Sequence, residues 1–269
     1  MIGLRGAVVC VTGGARGIGR STAAALAARG ARVWIGDIDA DAANATAAEL
    51  GVNGRHLDVT DADLFARFLD AARADGPIDM LVNNAGVQRM GPFAQQSLTG
   101  LHREVAINLT GVINGMHLVL PGMIERDRGH IVNVASMAAK VTTPGMAVYS
   151  ATKFAVAALS RAVRAELQGT GVTLTTIMPT ATHTELTSGV SLDLLPTRQP
   201  EDIAAAIVAS ARHGRREVTV PRWLAPFGAI EEAVPEPVLE ALKRAATRHR
   251  PPGDYDPDQR KAYLDRLDP

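Results

Sequence analysis

The segment Tyr149-Ser150-Ala151-Thr152-Lys153 sets a phenol and an ammonium four residues apart. In a helix that spacing places both side chains on one face, one turn apart. A free tyrosine titrates near pH ~10, too high for a base at neutral pH, and a neighbouring cation favours the phenolate. Tyr149 could then take the proton of an alcohol as hydride leaves its carbon, or return it to a carbonyl in reverse. Lys153 would hold a ribose as well. Ser136 stands just after the apolar run Ile131 to Val134, where its hydroxyl can hydrogen-bond a developing alkoxide. Taken singly, Ser136 reads as a turn serine and Tyr149 with Lys153 as a surface pair. Their joint position with the motifs that follow carries the chemical reading.

Hydride chemistry of this kind needs a nucleotide cofactor, and the chain has a place for one. Thr12-Gly13-Gly14-Ala15-Arg16-Gly17-Ile18-Gly19 lies between an apolar run and a helix-forming run. Glycines there let the backbone turn tightly and approach a pyrophosphate, while the helix N-terminus offers free N–H groups and a favourable dipole. Gly13, Gly17 and Gly19 are assigned that task, with Arg16 and Ile18 in the same turn. Asp37, with Ile38 beside it, closes the next apolar run, where an acid accepts hydrogen bonds from an adenosine ribose. A carboxylate repels a 2′-phosphate, so NAD is preferred over NADP. Arg16 pulls the other way, as a cation near such a phosphate, or else is a solvated surface arginine. Asp39 is a second acid there, or a helix cap. Asp58-Val59 would contact the adenine, although Asp58 reads equally as a helix-start residue. The small residues of Asn83-Asn84-Ala85-Gly86 would let the cofactor pass close to backbone, or form a structural turn.

The elements that position these residues follow a βαβα rhythm. Apolar runs at Ala7 to Val11, Arg32 to Ile35, Met80 to Val82, His130 to Val134 and Val172 to Ile177 alternate with helical patterns at Arg20 to Arg29, Ala40 to Leu50, Leu101 to Ile124 and Tyr149 to Leu167. This predicts an α/β fold, a Rossmann-like doubly wound parallel sheet in three α/β/α layers. Strands without alternation are those covered on both faces. Ligands bind beyond the carboxyl ends of such strands, where every motif above falls. A catalytic domain is expected over 1–220 and a C-terminal extension, 221–269, packed on the same domain. Within the extension Trp223, Leu224, Phe227 and Ile230 form an apolar cluster that could wall a pocket, join an interface, touch a membrane or simply pack on the core. An amphipathic stretch surrounds Val238, Leu239 and Leu242, and Asp256-Pro257 is a signal for one last helix.

Of 269 residues, 46% are hydrophobic and 21% charged, ample for a core. Basic and acidic residues balance at 28 each, so no net field recruits nucleic acid or an anionic membrane. Cys10 is the single cysteine, which excludes an internal disulfide and fits a reducing cytoplasm. No metal-ligand spacing, signal peptide or apolar run of membrane-spanning length, about 18 residues, is read here. The expected partner is a small-molecule alcohol or carbonyl compound.

With Thr-Gly-xxx-Gly-x-Gly at Thr12, Asn-Asn-Ala-Gly at Asn83, Ser136 and Tyr-xxx-Lys at Tyr149 in order, the chain resembles the short-chain dehydrogenase/reductase family over residues 5–220. The resemblance implies hydride transfer between a nicotinamide and a carbonyl carbon without metal. It implies a homodimer, through the Tyr149 helix and its neighbour, or a homotetramer. It also makes Asn108, in Ile107-Asn108-Leu109-Thr110-Gly111, the fourth catalytic residue, holding a water in a relay with Lys153. From residues alone Asn108 reads as a helix-kink or core polar residue. Where the family carries Pro-Gly, a branched apolar residue and Thr to hold the nicotinamide amide, this chain has Pro179-Thr180-Ala181-Thr182-His183-Thr184. Pro179 and Thr184 match, and Thr182 keeps a backbone contact. The substrate would meet Ala138 to Ala147 and Thr184 to Gln199, a region with Met137, Val141, Met146, Leu186, Val190, Leu192, Leu194 and Leu195. That lining points to a lipophilic alcohol or ketone. The alternatives are an NADPH-preferring carbonyl reductase and a dinucleotide-sensing protein without turnover.

Overall fold

The computed structural model describes residues 1–190, 196–228, 234–239, 241 and 255–267. Seven parallel strands form one sheet in the order β3-β2-β1-β4-β5-β6-β7. They are β1 (Val8–Thr12), β2 (Arg32–Asp37), β3 (Asn53–His56), β4 (Ile78–Asn83), β5 (Gly129–Val134), β6 (Val172–Pro179) and β7 (Glu217–Val220). The order reverses between β1 and β4, which opens a crevice above their carboxyl ends. Strand β1 is buried throughout, as its unbroken apolar run requires. Strand β3 was not anticipated, because Asn53-Gly54-Arg55-His56 is polar and sits at the sheet edge.

One face is covered by α3 (Ala62–Arg73), α5 (Gly111–Glu125) and α6 (Ala147–Glu166), which bury Phe65, Leu69, Met116, Met123 and Val156. The other face is covered by α1 (Gly17–Ala27), α2 (Ala40–Leu50) and α7 (Pro200–His213), which bury Leu26, Ala47, Ile203 and Ile207. Helix α7 is bounded by Pro200 in its first turn and by Gly214, left-handed, at its end. The helix expected over Leu101 to Ile124 is two helices, α4 (Leu98–Val105) and α5, joined through a π turn at Ala106–Thr110. Together, Leu98–Glu125 are long and apolar enough to cross a membrane, a correction to the reading that no stretch is. Val112, Met116, Val119 and Met123 of that stretch pack on the sheet instead.

The last described helix, α8 (Pro257–Leu267), starts where Asp256-Pro257 predicted. The Asp256 carboxylate accepts from the N–H groups of Asp258 and Gln259. Ile230 and Leu242 lie outside the described residues, as do Leu192, Leu194 and Leu195.

Candidate active site

A single cleft of about 1160 Å3 runs over the carboxyl ends of the strands. One end begins at the glycine turn. The Thr12 hydroxyl oxygen accepts from the N–H groups of Asn84 and Ala85, each at 3.0 Å. The Asn84 side chain donates to the carbonyls of Thr12 and Gly13. The turn after β1 and the turn after β4 are thus one unit, and Asn84 is both a structural clamp and a cleft wall. Gly13 has φ +63°, and a Cβ on it would lie 2.8 Å from Ala85 Cα. The backbone there is as close as a pyrophosphate cradle needs.

Asp37, at the tip of β2, accepts from Ala15 N at 3.1 Å and from Asp39 N at 3.2 Å. It faces the turn and lines the cleft beside exposed Ile38. Asp39 caps α2 through Ala42 N and pairs with the Arg16 guanidinium at 2.6 Å. Glu185 approaches the Arg16 Nε at 3.8 Å. Arg16, its side chain partly exposed, is thus shared by two carboxylates. The helix-start alternative for Asp58 falls away, since α3 is capped by Asp61 through Leu64 N. Asp58 holds its own turn by accepting from Thr60, and both Asp58 and Val59 line the cleft.

The catalytic candidates converge in the middle. Ser136 follows β5, accepts from Ala138 N at 3.1 Å and hydrogen-bonds Tyr149. The Lys153 ammonium lies 5.5 Å from the Tyr149 ring centroid and donates to Val134 O at 3.0 Å. Asn108 sits in the π turn, where the extra residue swings its amide inward. Its Oδ1 accepts from Val87 N and its Nδ2 donates to Val87 O, both at 2.8 Å. A Cβ on Gly86 would lie 3.2 Å from Asn108 Oδ1 and 3.5 Å from Lys153 Nζ, so both side chains flank that glycine. Asn108 is thus the kink and the buried polar residue together.

Burial pushes the Lys153 ammonium down to about 8, against the pull of Glu104. Burial also pushes the Tyr149 phenol up, opposed by the Ser136 hydrogen bond. The expectation that Tyr149 is brought down is corrected here, because desolvation dominates, Tyr263 and Glu104 add to the rise, and the Ser136 hydrogen bond alone opposes it.

Glu104 of α4 was not anticipated. It is 1% exposed, accepts from Arg89 N at 3.0 Å and is pushed up to about 7 by burial. Between its ordinary 4.5 and 7 the folded chain keeps a proton that the unfolded chain has released, so stability falls as pH rises through that window. Glu104→Gln should flatten the dependence of Tm on pH there, and exceed wild type most near neutrality. Parallel Tm curves for the two proteins across the window would refute this assignment.

Toward the substrate end, Pro179, Thr182 and Thr184 line the cleft after β6. The Thr182 hydroxyl turns back to Thr180 O at 3.0 Å, which lets a polar side chain occupy a buried apolar position. Thr180 donates its N–H to Val220 O, so the missing glycine leaves ordinary extended pairing. His183 is exposed and outside the cleft. Met137, Val141, Met146, Leu186 and Val190 all line the wall, joined by Leu224 and Phe227. Trp223 points outward, edge-on to Phe227 at 6.0 Å. Gln88, Tyr255, Gln259 and Tyr263 complete the lining and were not foreseen. The short helical spacing of Arg260, Tyr263 and Leu267 was the available signal.

Residues 7–194 match the family described as short chain dehydrogenase. The chain belongs to the short-chain dehydrogenase family. D-threitol dehydrogenase of Mycolicibacterium smegmatis is 41% identical over 222 residues, 76% of this chain and 85% of that protein. The 3-alpha-(or 20-beta)-hydroxysteroid dehydrogenase of Mycobacterium tuberculosis is 39% identical over 197 residues, 72% of this chain and 76% of that one. Among solved structures, 3-ketoacyl-(acyl-carrier-protein) reductase of Brucella melitensis complexed with NADH superposes with a TM-score of 0.76 at 26% identity, covering 81% of this chain and 97% of the other. This short-chain dehydrogenase is accordingly a nicotinamide-dependent oxidoreductase acting on CH–OH groups and the corresponding ketones.

Proposed function

We propose that the enzyme uses NAD to interconvert a lipophilic alcohol and its ketone, with Tyr149 as acid and base. The carrying observation is one cleft that joins the glycine turn, Asp37, the Ser136–Tyr149–Lys153 cluster and an apolar wall. Gly13, Arg16, Gly17, Ile18 and Gly19 would hold the pyrophosphate, Asp37 and Ile38 the ribose and adenine edge, and Asp58 with Val59 the adenine. Asn84, Ala85 and Gly86 would pass along the middle of the cofactor, and Pro179, Thr182 and Thr184 would hold the nicotinamide amide. When bound, the nicotinamide supplies the hydride acceptor or donor.

The protein moves the proton. The Tyr149 hydroxyl gives its proton to the ketone oxygen, and in oxidation the phenolate takes it from the alcohol. The Ser136 hydroxyl steadies that oxygen. Lys153 would lend positive charge and hold a ribose, and Asn108 would hold a water in a relay with Lys153. A binding protein without turnover would have no use for a hydrogen-bonded Ser–Tyr pair beside a cation, so catalysis is favoured over sensing.

Asp37 supports NAD over NADP, since a carboxylate lining the cleft at the tip of β2 would repel a 2′-phosphate. Arg16 does not offset it, being held by Asp39 and Glu185. Asp37→Ala should weaken NADH binding about tenfold and bring NADPH affinity to within reach of it, a change of about 1.4 kcal/mol. Calorimetry with both cofactors checks this, and an unchanged preference in the variant would return the choice to Arg16.

The same reading takes residues 1–220 as the catalytic unit and 221–269 as an extension on it. It places the enzyme in the cytoplasm as a homodimer or homotetramer. Exposed Ile113, Ile124 and Phe154 on α5 and α6 support pairing through those helices.

A further inference from the structure

Helix α8 lies beyond residue 194, where the family match ends, yet it is built into the cleft. Its buried residues Arg260, Tyr263 and Leu267 recur at helical spacing and form one inward face. Arg260 is fully buried, an unusual place for a guanidinium. It donates to Leu186 O and Ser188 O, both at 3.0 Å, and to Gln88 O at 2.9 Å. Its guanidinium carbon lies over the Tyr263 ring at 4.6 Å from the centroid and over the Tyr255 ring at 5.4 Å. One side chain thereby ties the segment after β4 to the segment after β6, the two walls of the substrate end. Gly189 lets the start of α8 approach: its φ is +71°, and a Cβ there would lie 2.5 Å from Asp256 O. Asp256 donates its N–H to Gly189 O at 2.8 Å. A second tie at the rim joins Arg266 to Glu185.

Tyr263 is 7% exposed, lines the cleft and is close enough to Tyr149 to raise it electrostatically. Its hydroxyl is already committed, accepting from Gln88 N at 2.7 Å and donating to Gln88 O at 3.3 Å. What it offers a substrate is therefore its ring.

We propose that α8 is the roof of the substrate end, latched by Arg260, and that Tyr263 is its specificity-determining residue, selecting alcohols and ketones with an apolar, ring-like body over polyols. This deepens the lipophilic-substrate reading above and rests on it. A polyol under this roof would set its extra hydroxyls against the Tyr263 ring, Met137, Met146 and Leu186, while the lining amides of Gln88 and Gln259 already donate to Met146 and Asp256. A fused-ring body would exchange water for ring contact.

The test uses the full chain with NAD and three alcohols: decahydro-2-naphthol, 2-propanol and D-threitol. Tyr263→Ala should raise KM for decahydro-2-naphthol about tenfold, on the scale of a lost apolar contact, and lower the ratio of kcat/KM for decahydro-2-naphthol to that for 2-propanol by about the same factor. Tyr263→Phe keeps the ring, so it should keep the low KM while lowering Tm, because Gln88 N loses its acceptor. A merely structural Tyr263 would shift both alcohols alike in Tyr263→Ala and would make the Phe variant resemble the Ala variant; either outcome overturns the proposal. Amide exchange is read in parallel. Slow exchange at Arg260 to Tyr263 and Leu186 to Val190 in wild type, lost in Arg260→Ala, supports the roof, and fast exchange there in wild type overturns it. A wild-type preference for D-threitol with the roof protected overturns the apolar-substrate reading and Tyr263 as selector, and leaves the roof standing.

Discussion

Tyr149→Phe should lower kcat/KM by roughly 10²–10⁴-fold in both directions, the usual worth of a positioned proton donor. The substitution removes one oxygen and its hydrogen bond with Ser136, and it leaves the ring in its buried place. NADH affinity and Tm should therefore stay close to wild type, which separates lost chemistry from lost structure. The pH profile carries a second signature. Burial holds the Tyr149 phenol above its ordinary range, so at neutral pH it is protonated, the form that reduces a ketone. Oxidation needs the phenolate, whose fraction grows as pH rises. The wild-type oxidation rate should climb with pH through the alkaline range, and the residual rate of the Phe variant should not. A Phe variant that oxidises alcohols at nearly the wild-type rate would remove Tyr149 from the reaction.

The other large effect concerns the cofactor cradle. A Cβ at Gly19 would overlap Gly13 O outright and lie 2.7 Å from the Asn84 amide nitrogen. Neither neighbour can yield, because Gly13 O and Asn84 Nδ2 are themselves hydrogen-bonded and tie the two turns together. Gly19→Ala should weaken NADH binding by roughly 100-fold, as a displacement of the cradle by about 1 Å would. It should also lower stability by about 1–3 kcal/mol, the range of overpacking. Gly30→Ala, as a control far from the cleft, should leave NADH binding untouched. Calorimetry and thermal denaturation of the three proteins test this, and a Gly19→Ala protein that binds NADH normally would mean the turn does not hold the cofactor.

What was legible in the sequence depended on whether a residue's task is local. Strands β1, β4 and β5 announce themselves because burial on both faces demands an apolar run. The glycine turn and Asp37 are legible because strand, turn and helix follow one another along the chain. Strand β3 is hidden, since an edge strand with exposed residues needs only backbone pairing to β2. Asn108 shows the limit more sharply: its inward position comes from one extra residue in a helical turn, which no side-chain pattern records, and only the resemblance named it. Glu104 and Arg260 read as solvated charges because charge in a sequence predicts exposure. Their burial is set by partners 15 and 172 residues away, Arg89 and Gln88. Tyr149 lines the cleft, but its acidity was not legible, because the strength of desolvation depends on how the whole cleft closes around it.

The latch at Arg260 also bears on how the enzyme comes into being. A chain is made from its N-terminus, and all seven strands precede α8, so the sheet and its helices can assemble before Arg260 has left the ribosome. During that interval Gln88 and Leu186 lack the guanidinium that will join them, and the apolar substrate wall stands open. Nascent enzyme would thus pass through a stage with a finished nucleotide-binding sheet and an unroofed, sticky cleft. Dinucleotide capture at that stage would stabilise the sheet by mass action before the roof closes.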